Sequence, residues 1–361
     1  MSKENIRLIN LNSYTRPKID ENIGKGYVLN GRNNAFYQYL IDRYNGSPTH
    51  AAIVNSYVDL IYGNGLHARN ASTNIQDWVL FKTIMKDKDI RKSLFDYVLF
   101  NEFSFQVIKT RVGNDLGSIL HLPKERLAPS IENDQEEIER YFYSRDWSEL
   151  TKYPATPYGS FEFSEDKETI FVGKPYKAGK VYFSDPEYLP GIGYMQAEEE
   201  ISNYCLSHIK NGLSFGYIIN IPDGKSYSSD EKDELEKKIK SKLTGSSNAG
   251  KFVLSFNGRD AEITITPLQV NDAHKQWQFL TTEAKQQIMT SWRVTSPMLF
   301  GIKDNTGFGN NADELDTAEA QLMKRVIQPK QRFYLDALVE ILEKYDINLD
   351  LYFKPLTEPK E

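Results

Sequence analysis

Apolar residues recur at helical spacing through the first hundred positions. Phe36, Leu40 and Tyr44 share one face, and Asn45-Gly46-Ser47-Pro48 ends that helix and caps the next. Ala52, Ile53, Tyr57, Leu60 and Ile61 form a second amphipathic face, which Gly63-Asn64-Gly65 stops with a left-handed cap. A third helix is predicted over Ile75–Lys86, with Trp78, Phe81 and Met85 inward, and a fourth over Ile90–Leu99. Residues before Asn30 have weak periodicity and read as an arm with little structure of its own. After Leu99 the period shortens to two. Strands are predicted at Ser104–Thr110, Gly117–Leu122, Glu139–Tyr143, Phe161–Phe163, Thr169–Val172 and Lys180–Phe183. Helices first and antiparallel strands after make this half α+β.

The pattern changes at Asp185-Pro186. A long helix is predicted from Tyr194 to Gly212, with Ala197, Ile201, Cys205 and Ile209 on one stripe and Glu198, Glu199 and Glu200 largely off it. Next come a strand at Tyr217–Ile221, a small helix from Ser228 or Ser229, and strands at Lys251–Phe256 and Ala261–Leu268 turned by Asn257-Gly258. This is a β-α-β-β insert ahead of a second long helix, Asp272–Arg293, which carries Trp277, Leu280, Ala284, Ile288 and Trp292 at helical spacing. The stretch WRVTSPMLFGIKDNTGFGNN, Trp292–Asn311, follows. Pro297 ends the helix before it. Met298, Leu299 and Phe300 should pin its base, and Gly307 and Gly309 free the backbone beyond. A third long helix is predicted from Ala312 to Tyr345 with Pro329 inside it, so a kink or a break is expected near Val326–Pro329. A last strand is predicted at Asn348–Phe353.

Composition narrows the function. The net charge of −6 argues against a protein that grips DNA with a basic surface, and it does not exclude a channel that nucleic acid only slides through. The single cysteine rules out a disulfide framework and a cysteine-built zinc site. The N-terminal stretch lacks a signal-peptide core and no apolar run has membrane-spanning length, so a soluble, intracellular protein is expected. The five histidines have no metal-ligand spacing, and no cofactor or metal is expected. The Glu198-Glu199-Glu200 run reads as a solvated or channel-facing acidic surface, because consecutive helical residues point to different sides. Lys232, Lys237, Lys238 and Lys240 alternate with acids and read as a solvated face. TGFGNN lacks the Lys-Ser or Lys-Thr pair of a phosphate loop. Nothing commits the chain to an enzyme.

The order of elements carries more than any single residue. With YFSDPEYLPGIGYMQAEEEISNYCLSHIKNG, SSNAGKFVLSF, WRVTSPMLFGI and the helix bearing Gln328-Pro329, the chain from Tyr182 to about Leu342 resembles the portal proteins of tailed bacteriophages. SPTHAAIVNSYVDLIYGNGL is similar to the helical entry of that family. The resemblance implies a portal-type α+β subunit with long stem helices, a small α/β clip and a kinked C-terminal wing helix. It assigns 1–30 to an arm, 31–190 to the wing, 191–216 and 271–296 to the stem, 217–270 to the clip, 297–311 to the tunnel loop, and 312–361 to the kinked wing helix and tail. It implies a homo-oligomeric ring of about twelve at one capsid vertex of the virion, assembled in the bacterial cytoplasm, as the head–tail connector for DNA packaging and ejection. Implied partners are terminase, the major capsid protein, the head–tail adaptor and double-stranded DNA without sequence specificity, with no membrane. Lys303, Asn305, Thr306, Gly307, Phe308, Gly309, Asn310 and Asn311 would line the DNA channel, Glu198–Glu200 would give an acidic stem surface, and Lys237 and Lys238 would contact clip partners. The alternatives are another head–tail adaptor component or a phosphate-binding nucleic-acid enzyme.

Overall fold

The computed structural model describes residues 20–22, 25–210, 217–222, 228, 230–231, 233–234, 252–258, 264–267, 273–301 and 312–356. The chain divides into two units, Met1–Gly193 with Ile288–Glu361, and Tyr194–Gln287. Helix and sheet are mixed, as α+β patterning predicts.

The first unit opens with a short hairpin, β1 (Asp20–Asn22) and β2 (Tyr27–Leu29), then α1 (Ala35–Gly46), α2 (Pro48–Tyr62), β3 (Leu66–Ala68), α3 (Ile75–Ile84) and α4 (Asp87–Phe100). Six strands follow: β4 (Phe103–Lys109), β5 (Leu116–His121), β6 (Leu127–Pro129), β7 (Arg140–Tyr143), β8 (Thr156–Ser160) and β9 (Glu168–Gly173). They form one sheet in the order β5-β4-β9-β8-β7-β6, and only β8 and β9 run parallel. The start of α2 is set by Ser47, whose hydroxyl accepts from the His50 N–H at 3.2 Å, and by Pro48 in the first turn. Its inner face is Ile53, Val54, Tyr57, Val58 and Ile61. The helix stops at Gly63, at φ 55°, where a Cβ would lie 2.1 Å from the Lys354 carbonyl oxygen. That close approach lets the Asn64 N–H donate to the same carbonyl at 2.7 Å, which seats β13 (Leu351–Phe353) antiparallel to β3.

Several expectations are corrected here. Residues 27–30 are buried rather than part of a free arm: Tyr27 and Leu29 pack with Ala128 and Trp147, and Tyr27 bridges to Ser130. Phe161–Phe163 is a turn, because the N–H groups of Phe163 and Ser164 both donate to the Ser160 carbonyl, and the strand lies just before it in β8. Lys180–Phe183 is not a strand either. Tyr182 and Phe183 are buried, but their backbone pairs with no strand; the Lys174 ammonium donates to the carbonyls of Val181 and Tyr182. Alternating burial at that point reflects side chains dropped into the core from an irregular segment.

The second unit holds most of α5 (Ile192–Lys210) and of α6 (Ala273–Ser291), with Tyr204 stacked on Trp277 at 4.1 Å between ring centroids. Between these helices in sequence lie β10 (Tyr217–Pro222), β11 (Phe252–Gly258) and β12 (Thr264–Pro267), in the order β11-β10-β12. The expected hairpin at Asn257-Gly258 is absent: both residues lie inside β11, and β10 separates β11 from β12. β10 and β11 run parallel, and β12 pairs antiparallel with the other side of β10. Between β10 and β11 in sequence, Ser228 and Glu231 form a capping box, in which Ser228 Oγ accepts from the Glu231 N–H at 3.3 Å and Glu231 Oε2 accepts from the Ser228 N–H at 2.8 Å.

The last long helix carries a π-helical turn just ahead of Pro329. It consists of α7 (Ala312–Leu322), a π-helical turn at Met323–Ile327, and α8 (Gln328–Glu343) with Pro329 in its first turn. Pro329 has no N–H to offer the carbonyl four residues back, and the wide turn absorbs that loss.

Candidate functional site

The described part of the sequence-predicted site is the base of the segment after α6. The helix ends at Ser291, and Arg293 takes a left-handed conformation at φ 58°. Pro297–Phe300 forms a single 3-10 turn closed by Gly301 at φ 70°. Two aromatic side chains hold this segment to α2. Trp292 is buried, its indole N–H donates to His50 Nδ1 at 3.0 Å, and its carbonyl accepts from the Tyr57 hydroxyl at 2.6 Å. Tyr188 stacks on the Trp292 ring at 4.4 Å and donates to the Leu99 carbonyl at 2.6 Å. Phe300 is buried and lies 5.7 Å from the Tyr57 ring. His50 and Tyr57, seven residues apart, share one face of α2 and so grip both ends of Trp292–Phe300. Met298 is exposed and Leu299 half-buried, which corrects the expectation that all three apolar residues pin the base. Phe300 and Trp292 do so.

A second set of contacts ties this base to the broken helix. Arg293 donates from Nη2 to the Arg325 carbonyl at 3.1 Å. Arg325 is the residue whose α-helical donor would have been the N–H of Pro329, so the guanidinium serves the acceptor that proline leaves. Thr295 Oγ1 donates to the Ala318 carbonyl at 2.8 Å. Glu187 lies between two cations, with Lys330 at 3.4 Å and Arg293 at 4.0 Å. Burial lowers the Lys330 ammonium from its ordinary range, and Glu187 partly opposes that shift. Burial raises the hydroxyls of Tyr57 and Tyr188, so both remain protonated donors at neutral pH.

Burial also lowers His50 to about 3 from its ordinary 6.5. The neutral ring accepts at Nδ1, so a proton arriving there would displace the indole. Between those two values the unfolded chain binds a proton that the folded chain does not. This part of the stability is therefore whole above pH 6.5 and is lost as pH falls toward 3, at roughly 1.4 kcal/mol per pH unit. His50→Gln, whose carbonyl can still accept from the indole, should lose about 2 kcal/mol less than the unaltered chain between pH 7 and pH 5. Equal losses in denaturant titrations of the two proteins would remove His50 from the account.

The other predicted residues are scattered. Lys303, Asn305, Thr306, Gly307, Phe308, Gly309, Asn310 and Asn311 lie outside the described residues, as do Lys237 and Lys238. Glu198 is buried, Glu199 half-buried and Glu200 exposed, so one turn of α5 splits the acidic run and only the last two reach solvent. Among the described residues no cluster of His, Cys, Asp or Glu could hold a metal ion, and no helix is long and apolar enough to cross a membrane. Sequence reasoning missed a buried polar network in the first unit. Lys124 Nζ lies 2.7 Å from Glu102 Oε2 and donates to the Tyr37 hydroxyl at 2.9 Å, and the other Glu102 oxygen accepts from the Ser184 N–H.

No family model matches the sequence, and no curated protein matches it. Solved structures do match. One is a chain in the virion of the native gene transfer agent (GTA) particle, at 13% identity and a TM-score of 0.59, over 92% of this chain and 87% of that one. Another is a chain in the neck of the native GTA particle computed with C12 symmetry, at 12% identity and 0.55, over 84% and 78%. A third is an HK97-family phage portal protein from Corynebacterium diphtheriae, at 10% identity and 0.51, over 87% and 94%. The chain has the phage portal fold. At these identities the portal fold is shared through the order and packing of elements rather than through conserved side chains, which explains why ordered patterning shows it where motif matching does not.

Proposed function

We propose that this chain is the portal subunit of a tailed phage or a related particle. In this reading it forms a closed ring at one capsid vertex of the virion and passes double-stranded DNA during packaging and ejection. The observation that carries the reading is the portal fold matched along nearly the whole chain, with the GTA virion and neck chains among the similar structures. Within it, residues 31–190 and 312–361 are the wing, 191–216 and 271–296 the stem, 217–270 the clip and 297–311 the tunnel loop. Lys303 and Asn305–Asn311 would face the DNA, with the Trp292–Phe300 clamp as their footing. Glu199 and Glu200 would keep the stem acidic, and an acidic wall does not hold passing phosphates. The chain would act as a structural conduit without chemistry of its own.

The test is assembly. Native mass spectrometry and negative-stain images should show a closed ring of about twelve copies of the 41.6 kDa chain, the symmetry of the neck structure. Only monomers or dimers over a range of salt and concentration would count against the reading. The clip assignment has its own test. Lys237→Glu with Lys238→Glu should weaken binding to terminase and to the head–tail adaptor while ring yield holds. If both partners bind the doubly reversed ring as well as the original, these lysines are not contacts.

A further inference from the structure

The six-stranded sheet ends differently on its two sides. Beside β6 the separate two-stranded sheet of β2 and β1 is joined by the single Tyr27–Ser130 bridge. At the other side β5 pairs only with β4 among the described residues, and its outer edge is open. An open edge is an adhesive surface that proteins ordinarily blunt with charge or proline. β5 reads Leu-Gly-Ser-Ile-Leu-His and has neither lysine, acid nor proline. Its one irregularity is a register shift at its Leu116 end.

Apolar exposure concentrates beside that edge. Leu120, on β5 itself, is 38% exposed, and Val112, in the β4–β5 turn, is 91% exposed. α3 packs next to β5 and buries only Phe81 and Ile84, while Ile75 and Val79 are 62% and 59% exposed and Leu80 also faces solvent. An apolar helix face beside an unpaired, uncharged strand is unusual on a subunit that works alone.

The chain ahead of Asp20 leads into β1, in the two-stranded sheet bridged to the β6 side, away from β5. Six strands at about 4.8 Å spacing, with the bridged hairpin beyond them, put that point roughly 30 Å from β5. Nineteen residues reach at most ~65 Å when extended. Four of the six residues from Ile6 to Leu11 are apolar. Head-to-tail assembly joins unlike surfaces of successive copies. One end of the six-stranded sheet carries an open edge, and the hairpin bridged to the other end releases a segment of suitable length and composition. We infer that residues 1–19 of a neighbouring copy dock as an added strand on the outer edge of β5, over the exposed residues of α3. The inference rests on the ring reading above and deepens it, since each copy would hold the next by an arm. Backbone hydrogen bonds along β5 would give register, and Leu120 with Ile75 and Val79 would take the arm's apolar side chains.

The experiment uses the full chain with Leu120 replaced by photoreactive benzoylphenylalanine. Rings are assembled from an equal mixture of ¹⁴N and ¹⁵N chains, irradiated, and their cross-linked peptides sequenced. The expected product joins position 120 of one isotope to residues 1–19 of the other. Intact rings that cross-link only within one chain, to another segment, or not at all overturn the arm and leave the ring standing. If the same preparation holds no rings, the ring reading fails and the arm fails with it. In a second arm of the test, Val79→Asp with Leu120→Asp, and separately removal of residues 1–19, should each weaken assembly about tenfold or more. Both changes are at the surface, so the melting of dissociated subunits should not move. Undiminished assembly in both variants overturns the proposal.

Discussion

Removing one partner of the buried Glu102–Lys124 pair should lower the stability of the first unit by about 3–5 kcal/mol. Both side chains are almost fully buried, so Lys124→Met would leave the carboxylate without its ion-pair partner, and Glu102→Leu would leave the ammonium without its own. The carboxylate is otherwise well satisfied. It accepts from the Tyr37 hydroxyl at 2.9 Å and from the Ser184 N–H, in addition to Lys124. Tyr37 stays a donor, because burial and the nearby Glu102 charge raise its hydroxyl well above the ordinary range. Lys124 further lies over the rings of Tyr37 and Phe183, at 5.2 and 5.5 Å. Its own N–H donates to Asp96, which also holds His121 at 2.8 Å. The pair thus ties α1, the α4–β4 junction, the chain after β5 and the corner that leads to α5. Asn101 supports the same corner, donating to Ser184 Oγ at 2.8 Å and to the Asp185 carbonyl at 3.1 Å. Replacing both charges together, Glu102→Leu with Lys124→Met, should cost much less than the two single changes added. Denaturant unfolding of the four proteins gives the coupling. Single variants within 1 kcal/mol of the original would show that the charges are hydrated after all.

Periodic elements were legible because burial writes itself into spacing. The inner face of α2, the helix from Ala273 and the break before Pro329 all follow from residues three or four apart and from a missing N–H. What spacing does not encode is which element lies beside which. The Asn257-Gly258 pair has turn chemistry, yet it sits in a strand, since β10 takes the place beside β11 that a hairpin would need. Tyr182 and Phe183 look like strand residues because they are buried, and burial alone does not supply a pairing partner. The site divides the same way. Trp292 was readable as the last core position of its helix. Its contact with His50, 242 residues earlier, left no local trace, nor did the 3.1 Å bond from Arg293 to the Arg325 carbonyl. Nothing local in the sequence marks Glu102 and Lys124, 22 residues apart, as a buried pair.

Shortening the segment at Gly307–Asn311 should leave rings assembled but sharply reduce the DNA packaged or retained per particle. The expectation follows from where the segment is rooted. Its near end is held by Trp292 and Phe300 on Tyr57 and His50, and Thr295 and Arg293 reach the broken helix at Ala318 and Arg325. Residues beyond Gly301 can therefore change without loosening the helices on either side. In the proposed tunnel-loop role, one lysine and a few short amides would meet phosphates without reading many base edges, so the loss should not depend on DNA sequence. Changes at the footing should act in the opposite way. Trp292→Ala removes a buried ring and its indole hydrogen bond to His50, and should cost about 3–5 kcal/mol of subunit stability. Phe300→Ser should cost roughly 2–4 kcal/mol, while Met298→Ser, at an exposed position, should cost little. Ring yield, subunit melting and DNA per particle, measured together, separate the two roles. A shortened segment that packages and retains DNA normally would make it a plain connector, whatever the footing variants do.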